Sequence, residues 1–183
     1  MNVRRFLFSV MLFTLSPIIM QAQVAPATTG GGNFNLALGA GFSAFNTDYA
    51  PDYMYGVTAY ADLKLIRWFG LEIEGRTIRF DAPGPLAETT VGGGGRFLLP
   101  HYGRFQPYAK FLIGIGRIDF PANPLTPQYT HDTFIYYAPG VGVDYKLMQH
   151  VYLRGDFEYQ RWPGFPPHGL TPYGFTIGAN YRF

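Results

Sequence analysis

The sequence predicts an all-β fold, an eight-stranded antiparallel up-and-down transmembrane β-barrel, on three observations. Eight stretches alternate apolar with small or polar residues, the period of two that a strand imposes on its two faces. Within the cores of those stretches every Lys, Arg, Asp and Glu falls on one face, leaving the other free of charge. Glycine (23) and proline (15) punctuate the chain often enough to end many short strands.

The last stretch, 172–183, shows the pattern most plainly. Tyr173, Phe175, Ile177, Ala179, Tyr181 and Phe183 alternate with Gly174, Thr176, Gly178, Asn180 and Arg182. It ends on an aromatic residue with no polar tail, so an apolar surrounding is expected. At 33–45, Phe34, Leu36, Leu38, Ala40, Phe42 and Ala44 face Asn33, Asn35, Gly39, Gly41 and Ser43 across the strand; 46–53 breaks it. At 54–66, Tyr55, Val57, Ala59, Ala61, Leu63 and Leu65 oppose Gly56, Thr58, Tyr60, Asp62 and Lys64, before a tight corner at Arg67-Trp68.

The third stretch, 69–80, sets Leu71 and Ile73 against Glu72, Glu74 and Arg76, and a Pro-rich loop follows. The fourth, 88–99, is weakened by four consecutive glycines from Gly92. After a turn at 100–106, the fifth places Ala109, Phe111, Ile113 and Ile115 opposite Tyr108, Lys110, Gly114 and Gly116; the longest loop, 117–132, comes next. In the sixth, 133–147, Pro139 cannot donate to a ladder, so a bulge or a strand start is expected there. The seventh, 151–162, carries Arg154, Asp156, Glu158 and Gln160 on its polar face, before a loop at 163–171.

Across all eight, the polar face collects Lys64, Arg76, Arg96, Lys110, Lys146, Arg154 and Arg182 with Asp62, Glu72, Glu74, Asp144, Asp156 and Glu158. An Arg or Lys facing lipid at mid-depth costs roughly 2–4 kcal/mol, so this segregation suits a membrane barrel with the charges inside. A soluble lipocalin-like barrel has the same periodicity with the faces reversed. Against it stand the bulky aliphatics contributed by every strand, the aromatic C-terminus and connections that alternate long and short.

Residues 1–22 read as a secretory signal, with Arg4 and Arg5 ahead of an apolar run and a small residue, Ala22, at the cut. Residues 23–32 read as a flexible periplasmic lead-in, and 33–183 as the barrel. Without Arg4 and Arg5 the chain carries 12 basic and 12 acidic residues, so no basic field exists to attract nucleic acid. It has no cysteine, which excludes disulfides, thiolate chemistry and lipid modification at an N-terminal cysteine.

The leader, the eight alternating stretches and the terminal Asn180-Tyr181-Arg182-Phe183 resemble the small OmpA/OmpX-like outer-membrane β-barrels of Gram-negative bacteria. The resemblance covers 33–183 and concerns architecture. It implies a cell outer membrane location, both termini periplasmic, and Tyr181 and Phe183 as the signal read by the barrel-assembly machinery. It implies outer-membrane lipid and lipopolysaccharide as surroundings, and a monomer. The chain stops at the barrel, so the wall-binding domain of full-length OmpA-type proteins is not expected.

An eight-stranded barrel is just wide enough for its side chains to fill it, and buried charges persist only when paired. An ionic network of Asp62, Lys64, Glu72, Glu74, Arg76, Arg96, Lys110, Asp144, Lys146, Arg154, Asp156, Glu158 and Arg182 is therefore expected to close the lumen. Above it the inward positions are rich in glycine, with Tyr60, Tyr136 and Trp162 among them. Either a blind vestibule for a small or acyl ligand lies there, or the glycines make room for long side chains of neighbouring strands; the second is preferred.

No catalytic, metal or cofactor site is expected. Ser43, the one serine after the leader, could meet His131 or His168 with Asp48 or Asp132 only by loop approach, and no motif supports that triad. The histidines lack metal spacing. Asp48, Asp52, Asp81, Glu88, Asp119 and Asp132 are assigned to or beside outer loops, with Arg79, Arg117 and Arg161. Trp68, Tyr102, Phe105, Tyr145, Tyr181 and Phe183 are assigned to an aromatic girdle at the periplasmic rim. The expected role is envelope integrity or surface interaction through the loops. A lipid-modifying enzyme, a narrow channel and a small hydrophobic-ligand binder are the rivals.

Overall fold

The computed structural model describes residues 35–50, 52–80, 86–120 and 131–183; the leader and lead-in lie outside them. The described residues form β1 (Asn35–Asn46), β2 (Met54–Lys64), β3 (Phe69–Phe80), β4 (Leu86–Leu98), β5 (Phe105–Asp119), β6 (His131–Lys146), β7 (Val151–Tyr159) and β8 (Tyr173–Arg182). Each strand pairs antiparallel with the next, and β8 pairs back onto β1, from Ala37↔Arg182 to Asn46↔Tyr173. Closure leaves no sheet edge, the condition for a sheet to cross hydrocarbon.

The register fixes the girth. Following partners from Asn35 leads through Lys64, Gly70, Arg96, Lys110, Gly140, Glu158 and Gly174 and returns to β1 at Phe45, ten residues further on. Such a stagger tilts the strands by roughly 35–45°. Each long charged residue on this walk has a glycine on at least one side, so bulk from one strand has space beside it.

The faces are those of a membrane barrel. Ile177 is 74% exposed on the outer face while Glu72 is 1% exposed on the inner one. Leu38, Phe42, Val57, Ile73, Val91, Ile113, Ile115 and Val141 all point outward with Ile177. A soluble barrel would invert that arrangement.

Several boundaries move from the expected ones. β5 starts at Phe105 and runs to Asp119, and β6 starts at His131, so the 117–132 loop shrinks. Arg117 and Asp119 consequently sit on the outer edge of β5, joined at 2.8 Å, and Arg79 is likewise exposed near the end of β3. The charge-free outer face is thus a band and not the whole strand length. Apolar alternation marks only the part that meets hydrocarbon; the ladder itself continues wherever a partner strand is present. The expected alternation of connection length weakens accordingly, since 81–85 is no longer than 99–104.

Pro139 neither starts β6 nor bulges it. Opposite β5 the register is unbroken through Phe111↔Pro139 and Leu112↔Ala138. On the other side the β6–β7 ladder stops at Gly140↔Glu158 and resumes as the bridge Tyr137↔Arg161 in the same register. The missing N–H interrupts one ladder and spares the other. β7 itself ends at Tyr159, three residues early, and Trp162 instead bridges Leu170 within the following loop.

Candidate functional site

The lumen is where the barrel concentrates its chemistry. In its lower part, toward the termini, Lys110 of β5 stands at the centre: its Nζ lies 3.0 Å from Glu72, 2.8 Å from Glu74, 3.2 Å from Asp156 and 3.2 Å from Glu158. These carboxylates come from β3 and β7, on opposite sides of it. Arg154 of β7 reaches across to Asp62 and Glu72 and binds Asp144 at 3.0 Å. Arg96 binds Asp62 at 2.6 Å and Asp144 at 2.8 Å, and Arg182 at the base also binds Asp144, at 2.5 Å. At the top Arg76 joins Glu74 to Glu158.

Rings complete the guanidinium sites. Arg154 lies 4.0 Å from the Tyr60 ring centroid and Arg96 3.7 Å from that of Tyr108; Arg76 stacks on Phe45 and Arg182 on Tyr152. A planar cation can meet carboxylates at its edge and a ring at its face at once, which a lysine cannot do. Neutral donors also contribute: Tyr108 Oη donates to Asp156 at 2.5 Å, and Gln160 Nε2 to Glu158 at 2.7 Å.

Gln160 marks the change of chemistry, because its Oε1 accepts from Trp162 Nε1 at 2.7 Å. Above it the lumen is mostly apolar, with Glu88 as a buried acid. Leu112, Ile118, Tyr136, Ala138, Trp162 and Leu170 form one buried cluster, and Phe45, Met54 and Ile78 another. Between the two chemistries Ser43 Oγ is held by Thr58 at 2.5 Å and Thr176 at 2.7 Å.

Of the thirteen residues assigned to the network from sequence, eleven converge as described. Lys64 and Lys146 do not: each is the last residue of its strand, and neither forms an ion pair among the described residues. A long side chain at a strand end can reach water, so nothing forces it to pair. Of the two readings of the upper lumen, the geometry follows the preferred one, in which the glycines make room for side chains of neighbouring strands. A Cβ at Gly116 would overlap the Trp162 indole, one at Gly92 the Tyr136 hydroxyl, one at Gly39 the Tyr60 ring and one at Gly142 the Tyr108 ring. These glycines are seats for rings. A cavity at the terminal end, lined by Asp62, Lys64, Arg96, Gln106 and Arg182, holds only about 50 Å³.

Glu88 is not a loop residue but a fully buried one on β4, where its Oε2 accepts from Tyr49 at 2.6 Å. Burial first, and then the Glu88 carboxylate, push the Tyr49 phenol far above its ordinary value, so it remains the donor. Tyr49 belongs to the β1–β2 loop, which is tied to the β7–β8 loop. Asp48 accepts from Thr171 N at 2.7 Å and Oγ1 at 2.5 Å, and the Tyr49 and Phe165 rings stack. His131 and His168 are exposed, whereas Ser43 is fully buried with its hydroxyl held by Thr58 and Thr176.

At the terminal end Trp68, Tyr102, Phe105, Tyr181 and Phe183 are exposed and Tyr145 stacks on Phe105. Sequence reasoning missed the ring partners Phe45 and Tyr152 and the polar link Gln106. Their one available signal was an inward phase shared with charged neighbours.

The model of the outer membrane protein beta-barrel domain matches residues 11–183. The chain belongs to that family. It is a β-barrel of the cell outer membrane. No curated protein sequence matches it. Among solved structures, Neisserial surface protein A (NspA) covers 84% of this chain and 100% of its own, at 12% identity and a TM-score of 0.67. Ail, the attachment invasion locus protein of Yersinia pestis, covers 82% and 99%, at 17% identity and a TM-score of 0.59. The N-terminal β-barrel domain of Pseudomonas aeruginosa OprF covers 83% and 99%, at 12% identity and a TM-score of 0.53. At these identities the likeness is one of fold.

Proposed function

We propose that this outer-membrane barrel is a non-enzymatic, monomeric protein with a closed lumen, acting in envelope integrity or surface interaction through its loop end. The observation that carries the reading is the continuous filling of the lumen, from Arg182 at the base through Lys110 to Trp162 near the loop end. A filled bore leaves outer surfaces as the working parts. Ser43 supports the non-enzymatic part, since its buried hydroxyl is committed to two threonines. NspA is a surface protein and Ail an attachment protein by name, and this chain shares their barrel.

In this reading residues 1–22 direct export, and 23–32 lead into the barrel on the periplasmic side. Tyr181 and Phe183 present the C-terminal strand to the barrel-assembly machinery, and outer-membrane lipid and lipopolysaccharide surround the apolar band. The test is complementation of a strain lacking the protein, with wild type or with a chimaera whose 81–85 and 121–130 connections are replaced by short Gly-Asn turns. The chimaera is expected to fold, shown by heat-modifiable gel mobility, and to fail to restore detergent resistance or surface attachment. Full restoration would place the function in the barrel wall or in the tied β1–β2 and β7–β8 loops and contradict a role for these two connections.

A further inference from the structure

The two ends of the barrel differ in sign as well as in form. The loop end mixes charges: Asp48, Asp52, Asp119 and Asp132 stand with Arg79, Arg117 and Arg161. The terminal end does not. The turns at 65–68, 99–104 and 147–150 contain no aspartate or glutamate, yet they and the adjoining strand ends supply Lys64, Arg67, Arg104 and Lys146 with His101 and His150.

Backbone hydrogen bonds bring these turns side by side. Leu98 N donates to Trp68 O at 2.8 Å, Lys146 N to Arg104 O at 2.8 Å, and Arg182 N to His150 O at 2.8 Å. Arg67, Arg104 and Lys146 are exposed, and with Lys64 they form no ion pair among the described residues. The ring is close enough for its members to feel one another. Partial burial and then the positive charges of Lys64, Arg182, Lys146 and Arg67 hold His101 below its ordinary value. Trp68, Tyr102, Phe105, Tyr181 and Phe183 stand exposed at the same end. Indole and phenol rings settle at the headgroup level of a bilayer, so the cations are set in the phosphate layer.

We infer that this basic ring binds the phosphodiester headgroups of anionic phospholipids in the membrane leaflet at the terminal end. Charge complementarity and depth argue together: the ring has one sign, lacks protein counter-ions and is held by the aromatic belt where lipid phosphate lies. This assignment is independent of the loop-borne role, and either can fail without the other.

The test folds the protein into vesicles of phosphatidylcholine with a minor fraction of phosphatidylglycerol. The barrel is then extracted in polymer-bounded nanodiscs, and the co-extracted lipids are measured by mass spectrometry. Each cation near an anionic surface favours it by about fivefold, so phosphatidylglycerol should be enriched several-fold around the wild type. The enrichment should vanish in Arg67→Gln/Arg104→Gln/Lys146→Gln and persist in the loop-end control Arg79→Gln/Arg117→Gln. Heat-modifiable mobility checks that each variant is folded. If the triple variant does not fold, raising the salt around the wild type must abolish its enrichment instead. Absence of enrichment, enrichment insensitive to both charge removal and salt, or equal loss in the loop-end control would overturn the assignment. A ring occupied by an acidic periplasmic protein would leave the lipid composition unchanged, and so would count against it.

Discussion

From the terminal end to mid-depth the lumen holds eleven paired charges; from there to the loop end it holds Phe45, Met54, Ile78, Leu112, Ile118, Tyr136 and Trp162, with the buried carboxylate of Glu88 hydrogen-bonded to Tyr49. The two halves fill equal girth by different rules. The apolar half needs volume, and a ring seated on glycine supplies it. The ionic half needs partners in fixed places, because a buried charge without one is costly. Its pairs also join strands far apart in sequence, with Arg154 of β7 meeting Asp62 of β2 and Arg76 of β3 meeting Glu158 of β7. A one-residue slip in register would send every such side chain to the lipid face. The ionic half is therefore the part that specifies register, and the apolar half the part that tolerates repacking.

Substitution at the centre of each half sharpens this contrast. Lys110→Met takes the shared cation from four carboxylates, each left with at least one other partner, and should cost about 3–5 kcal/mol in urea unfolding from lipid vesicles. Part of that loss should be recovered in acid, where a protonated carboxyl no longer needs a cation. A loss below about 1 kcal/mol, within the range of an exposed pair, would show that the network is not critical. Leu112→Ala removes buried volume two residues away and should cost about 2–5 kcal/mol, with no recovery in acid.

Between the halves, Ser43→Ala should cost only about 1 kcal/mol, since Thr58 keeps its hydrogen bond from Arg76 Nε. A loss matching that of Lys110→Met would move the boundary of the polar half upward. The smallest effect is expected outside the lumen. Asp48→Ala unties the β7–β8 loop and should change global stability by less than about 1 kcal/mol, while amide exchange at Thr171 speeds up. Unchanged exchange there would mean that the Tyr49 and Phe165 contact holds the loops without Asp48.

The ionic half was legible in the sequence because polarity alternates there: Asp62, Glu72, Glu74, Lys110, Arg154 and Asp156 stand out against apolar neighbours on a period of two. The apolar half was not. At Leu112 and Ala138 both faces of the strand are apolar or small, so alternation carries no phase; beside Ile78 and Ile118 the outward neighbours Arg79, Arg117 and Asp119 are charged and invert it, and all four went unread as lumen-facing. The glycines there read as room for neighbouring side chains, but which rings they seat is not legible, because a glycine reports only the absence of its own side chain. Glu88 was misplaced for a related reason. It opens a strand beside a Pro-rich loop, and only closure of the barrel turns that position inward over Tyr49. Lys64 and Lys146 have the right phase but the wrong height, which alternation does not encode.

The most direct measurement is current across a planar bilayer containing the folded wild-type barrel. With the lower lumen ion-paired and the upper lumen filled by Trp162 and its neighbours, the membrane should show no steady conductance above its bare value. Stable, ohmic conductance steps from the folded protein would contradict the closed lumen.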